Sequence, residues 1–176
     1  MVDWTIQKYG KLDIMFSNAG IGSKSPQTIL DLDVSQFDRL FEVNVRGMAI
    51  CVKHAARVMV ERHIKGTIVC TANVIANNCR GSTNATDYIM SKHAILGLVR
   101  STSQQLGTYG IRVNSVSPAA VPTSKRTNEE IKKTFGPFTS LKDISLTVKH
   151  IADSVLFLAS NDSAFSLAMT WWSTVG

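Results

Sequence analysis

Tyr88-Ile-Met-Ser-Lys92 sets a phenol and an ammonium one helical turn apart, and an apolar stripe continues from them through Ile95, Val99, Thr102 and Leu106. Both polar groups therefore extend the face of a helix that ought to be buried. A phenol titrates near pH 10 in water, about three units too high for proton exchange at neutrality, and a nearby positive charge favours the phenolate. A tyrosine beside a buried lysine can thus serve as general acid or base. The same spacing also occurs in ordinary helix pairs, so its meaning depends on the elements that position it.

Those elements alternate. Residues 12–16 form a short apolar run that breaks into Ser17-Asn-Ala-Gly20-Ile-Gly22 and reads as a buried strand ending in a small-residue turn, where a flat ligand can approach backbone. An amphipathic helix follows, with Asp33 or Ser35 as N-cap and apolar residues at Phe37, Leu40, Phe41, Val45, Met48 and Val52. Asn44 interrupts that face. Residues 66–71 read as a second strand, the Tyr88 helix comes next, and residues 111–117 form a third strand stopping at Pro118. Strand and helix in alternation predict an α/β fold, a parallel sheet covered by helices.

Asn18-Ala19-Gly20 after a strand, Asn44 in the next helix, Tyr88-x-x-x-Lys92, and Arg112-Val-Asn-Ser-Val-Ser-Pro118 occur in that order. Together they resemble the short-chain dehydrogenase/reductase superfamily. The wording of residues 11–20, 91–100 and 151–160 is similar to its plant branch containing secoisolariciresinol dehydrogenase and xanthoxin dehydrogenase. The resemblance implies a Rossmann-like doubly wound sheet and an NAD(P)-dependent oxidoreductase that interconverts a secondary alcohol and a ketone. It implies Tyr88 as the proton-transfer residue, Lys92 lowering its pKa and holding the nicotinamide ribose, and Asn44 keeping a water in line with Lys92. Asn18, Ala19 and Gly20 would border the cofactor, and so would Pro118, Val121 and Thr123 in the turn after the third strand. The resemblance also implies a homo-oligomer formed through the helices bearing Asn44 and Tyr88.

Two departures qualify the transfer. The serine that the family places before the catalytic helix is missing; Asn73 takes its position in Cys70-Thr-Ala-Asn-Val-Ile75, and its amide can donate to a substrate oxygen. Strict spacing from Tyr88 selects Val74 or Ile75 instead, and Thr71 and Ser82 are out of register. A glycine-rich turn opening a helix, the usual seat of a pyrophosphate, is also absent; Gly20-x-Gly22 follows the wrong strand. Residues 1–9 read as the end of a helix, so the chain is expected to be a single partial domain, 1–176, holding strands four onward. About 60 residues or more of strand-helix-strand units would be lacking, the residue choosing NAD or NADP among them. The first strand should then be an open edge, and cofactor binding should be weak. The competing function is a non-catalytic member that keeps only fold and association.

At the other end, residues 148–160 read as a helix, and Trp171 and Trp172 as a final strand. Residues 124–149, polar and broken by Gly136-Pro137, correspond to the family's substrate lid. The chain has 176 residues with 44% hydrophobic content, enough for one core, and a net charge of +6 from 19 basic and 13 acidic residues. The basic residues are scattered without interleaved aromatics, which argues against a nucleic-acid surface. Cys51, Cys70 and Cys79 suit neither a disulfide framework nor a zinc site, and the four histidines form no ligand motif, so no metal is expected. With no apolar run long enough for a bilayer and no leader pattern, the expected location is cytoplasmic.

Overall fold

The chain pairs its strands strictly in sequence order, and all of them run parallel. A computed structural model describes residues 1–76, 84–122, 127–135 and 146–173. Within these, β1 (Ile14–Ser17), β2 (Thr67–Thr71), β3 (Arg112–Pro118) and β4 (Thr170–Ser173) form one sheet in the order β1-β2-β3-β4. The expected doubly wound architecture is present, and Trp171 and Trp172 lie in its last strand, beside Val116 and Ser117.

Each of the first three strands leads into helix. After α1 (Val2–Tyr9) and β1 come α2 (Val34–Phe41), a π-helical turn Glu42–Gly47, and α3 (Met48–Glu61). Asp33 is the N-cap of α2, accepting hydrogen bonds from the Ser35 and Gln36 amides. Those bonds, with the Ser35 side chain foremost, hold its carboxyl down at about 2. The single helix expected through Asn44 is thus two helices joined by a wider turn. Helix α4 (Thr86–Gly107) links β2 to β3, and α5 (Asn128–Phe135) and α6 (Val148–Ala159) precede β4.

Helices α3 and α4 bury Val52, Ala55, Met59, Ile95 and Val99 against Met15, Ile68, Cys70 and Val113 on one face of the sheet. Leu158 of α6 packs on Val69 and Val116 on the other. The chain advances across the sheet in one direction throughout. The crossover carrying α6 over the opposite face therefore has the opposite hand to the first two, against the strong right-handed preference of such connections. Two side chains of β3 secure it. Arg112 donates to the carbonyls of Leu158, Ser160 and Ser163 at the end of α6. Asn114 donates to the Ser166 carbonyl and accepts from the Met169 amide.

Met15 faces the α3 side, whereas Ile14 and Phe16, in register with Thr67 and Val69, face the α6 side. Among the described residues no helix reaches over them there, and they are 50% and 41% exposed. Parallel sheets are normally covered on both faces. Within the described sheet the first strand lies at the edge, buried on one face only.

Candidate active site

Tyr88 and Lys92 stand in the first two turns of α4, over the C-terminal ends of β1 and β2, where open α/β sheets place their ligands. The inward stripe is as expected: Lys92 is only 4% exposed, and Ile95 and Val99 below it are buried. Lys92 Nζ donates to the Thr71 carbonyl at 3.1 Å and lies 5.6 Å from the centroid of the Tyr88 ring. Among the described residues no carboxylate forms an ion pair with it. Burial therefore pulls Lys92 down to about 8, with the Cys70 thiol opposing.

Burial also raises the Tyr88 phenol above its ordinary value, a correction to the expectation that Lys92 lowers it. The cause is geometric. Lys92 is anchored to backbone across the site rather than to the phenol, and desolvation of the phenolate outweighs its charge.

Asn44 sits in the π-helical turn and is buried. Its Oδ1 accepts from the Ile21 amide at 2.8 Å, and its Nδ2 donates to the Ile21 carbonyl at 2.9 Å and to Ser91 Oγ at 3.2 Å. The amide is thus committed to the loop after β1 and to α4. π-turns are rare and cluster at functional sites, because they re-aim one residue of an otherwise regular helix. Gly20 suits this close packing: a Cβ there would stand 3.2 Å from Asn44 Oδ1, a tight contact, and 3.7 Å from Lys92 Nζ. Asn18 ties the ends of two strands, its Oδ1 accepting from Thr71 Oγ1 at 2.8 Å.

An open cleft of about 260 Å³ is walled by Asn18, Gly20, Ile21, Gly22, Thr71, Ala72, Asn73, Tyr88, Lys92 and Pro118. It brings together most of the residues singled out in the sequence. Asn73 lies in it, with Oδ1 accepting from the Ile75 amide and opening the short helical turn Val74–Ala76. Thr71 is also a wall, but its hydroxyl is engaged by Asn18. Ala19 and Val121 do not line this space, Asn44 lies behind Gly20, and Thr123 and Ser82 fall outside the described residues.

Sequence reasoning passed over Asp87, Ser91 and Ser23. Asp87 and Ser91 lie eight and four residues before Ile95 on the inward stripe of α4, and both are fully buried. That helical spacing was the available signal. Ser91 Oγ donates to the Tyr88 carbonyl while accepting from Asn44, and Asp87 Oδ1 accepts from Ser23 Oγ and the Tyr88 amide.

A family model described as enoyl-(acyl carrier protein) reductase matches residues 1–171. The (+)-cis,trans-nepetalactol synthase NEPS1 of Nepeta racemosa is 53% identical over 171 residues, 94% of this chain and 62% of that protein. This chain belongs to the short-chain dehydrogenase/reductases. A (−)-isopiperitenol/(−)-carveol dehydrogenase of Mentha piperita is 52% identical over 94% of this chain and 64% of its own length. Among solved structures, carveol dehydrogenase from Mycobacterium avium in complex with NAD superposes with a TM-score of 0.90 at 25% identity, covering 99% of this chain and 68% of that one. NAD⁺-bound xylitol dehydrogenase gives 0.87, also at 25% identity, over 99% of this chain and 72% of that one. This short-chain dehydrogenase/reductase thus spans less than two thirds of the length of the curated relatives it matches most strongly. Its family is one of oxidoreductases, and these two solved structures hold NAD.

The residues present fit the nicotinamide end of such a cofactor. Lys92 retains donor capacity beyond its bond to Thr71, and the missing Cβ of Gly20 leaves space beside Nζ. Among the described residues, α1, α2, α4 and α6 are capped at Met1, Asp33, Ala85 and Thr147, α3 continues directly from the π-helical turn and α5 begins at Asn128, so none opens from a glycine-rich turn suited to a pyrophosphate.

Proposed function

We propose that this chain carries the proton-transfer half of an NAD(P)-dependent oxidoreductase acting on a secondary alcohol or ketone. The observation that carries the reading is the pairing of a half-buried phenol with a buried lysine that meets no carboxylate among the described residues, at one wall of an open cleft. Tyr88 is the catalytic acid or base and Lys92 its partner; Asn44 orders the loop behind Gly20, and Asn73 offers an amide to the substrate oxygen. A bound nicotinamide would supply or accept the hydride. With its titration pushed upward by burial, Tyr88 holds its proton at neutral pH, which suits donation to a ketone oxygen. The substrate class we favour is a cyclic terpenoid alcohol or ketone. It is supported by the dehydrogenase relative's name and by Ile21, Ala72 and Pro118 in the cleft wall.

Calorimetric titration with NAD and NADP, followed by turnover of Tyr88→Phe, tests this proposal. We expect weak nicotinamide binding by the isolated chain, because the phosphate seat is not among the described elements while the cost of immobilising the dinucleotide remains. Any turnover should vanish in Tyr88→Phe. Turnover surviving that change removes Tyr88 from its role. A second reading, a non-catalytic member retained for association, is favoured by Ile50 and Met90, exposed apolar residues on α3 and α4 through which a homo-oligomer could form. Absence of any nicotinamide binding together with a stable dimer would select it.

A further inference from the structure

We propose that Asp87 is a positioning residue of this site: by holding Ser23 and the Tyr88 amide on one carboxylate oxygen, it locks the cleft wall formed by Ile21 and Gly22 to the first turn of the catalytic helix. The proposal rests on the reading of Tyr88 given above. Its geometry is independent of that reading. Asp87 Oδ1 accepts from Ser23 Oγ at 2.6 Å and from the Tyr88 amide at 2.8 Å, so one atom ties two segments 64 residues apart in sequence. The side chain is fully buried, and its Oδ2 has no hydrogen-bond partner among the described residues.

A buried carboxylate with an orphan oxygen is costly, and stability alone would favour a neutral residue in its place. What the carboxylate offers instead is a short, charge-assisted bond that a neutral side chain forms less strongly. The segment it holds is the one that most needs holding. Ile21 and Gly22 form the partition between the 260 Å³ cleft and a second cavity of about 140 Å³ lined by Ser23, Gln36, Arg39 and Asp87. With open space on both sides, its hydrogen bonds among the described residues lie at Ile21 and Ser23. Asn44 grips Ile21 at one end, and Asp87 grips Ser23 at the other. Asn44 reaches α4 through Ser91, so both grips refer the wall to the helix that carries Tyr88.

The test compares Asp87→Ala, Ser23→Ala, their double variant and Asp87→Asn in the full chain. In hydrogen exchange, Asp87→Ala and Ser23→Ala should each speed the amides of residues 21–24 by about tenfold, the loss expected for one hydrogen bond to a charged group. The double variant should be no faster than either single change. Asp87→Asn keeps an oxygen acceptor and should restore most of the protection. In turnover, the alanine variants should raise KM by a similar factor with kcat nearly unchanged, whereas simple loss of folded protein would lower apparent kcat and leave KM alone. Unchanged exchange at residues 21–24 in Asp87→Ala overturns the proposal whether or not turnover is seen, and so do additive effects in the double variant. Protection that depends on Asp87 in a chain without nicotinamide binding supports the latch and refutes only the oxidoreductase reading.

Discussion

Lys92 Nζ lies 5.6 Å from the centre of the Tyr88 ring, yet its hydrogen bond goes to the carbonyl of Thr71. The ammonium is therefore buried with a backbone dipole for company and no counter-charge among the described residues, which makes it the least comfortable group in the site.

That discomfort is measurable as a pH dependence. The folded-state value of Lys92, about 8, lies below its ordinary 10.5. Between these values the unfolded chain binds the proton and the folded chain does not, so stability rises with pH across that window; below about 8 both states are protonated and the penalty is constant. Tyr88, shifted upward, acts in the opposite sense only above its ordinary value of 10, so measurements should stop there. Lys92→Met should raise the stability at pH 7, by on the order of 3 kcal/mol at most, and with it the melting temperature. It should also flatten the rise between pH 8 and 10. A parallel rise in both proteins would locate the slope elsewhere.

Asn44→Ala removes three hydrogen bonds of a buried side chain and should cost about 2 kcal/mol in a urea melt, with increased exchange at Ile21. Gly20→Ala approaches the same atom from the other side. Its new Cβ would meet Asn44 Oδ1 at 3.2 Å, so it should disturb the Ile21 amide as well, with a smaller loss of stability.

Two buried polar groups in β3 should respond in opposite directions. Asn114→Ala leaves the Ser166 carbonyl and the Met169 amide without their partner and should destabilise by about 2 kcal/mol, loosening residues 166–170 first. Ser117 Oγ has no partner among the described residues, so Ser117→Ala should be neutral or stabilising by about 1 kcal/mol. Thermal denaturation of the pair checks both signs.

Asn73→Ser should raise whatever turnover the chain shows, since a small hydroxyl would replace an amide whose oxygen is engaged by the Ile75 backbone. A lower or unchanged kcat/KM would mean that Asn73 does not stand in for the family's serine.

The alternation of strand and helix and the inward stripe of α4 were legible in the sequence because each rests on a repeating hydrophobic period. The π-turn was not, because Glu42–Gly47 keeps the composition of an ordinary helix and the extra residue per turn is set by Asn44 reaching Ile21. The direction of the Tyr88 shift was missed for a related reason. Spacing places Lys92 one turn away, but only the folded backbone shows that Thr71 captures its ammonium. Asp87 was overlooked since a carboxylate in the first turn of a helix ordinarily faces solvent and answers the helix dipole.

The uncovered side of β1 bears on how the chain behaves while it is being made. Each strand pairs with one about fifty residues away in sequence, so assembly is governed by slow, long-range encounters. Among the described residues, Ile14 and Phe16 stay uncovered once these strands have paired. The yield of native protein should therefore fall as its concentration rises, and chaperones that hold apolar strands should improve recovery more than any change of buffer.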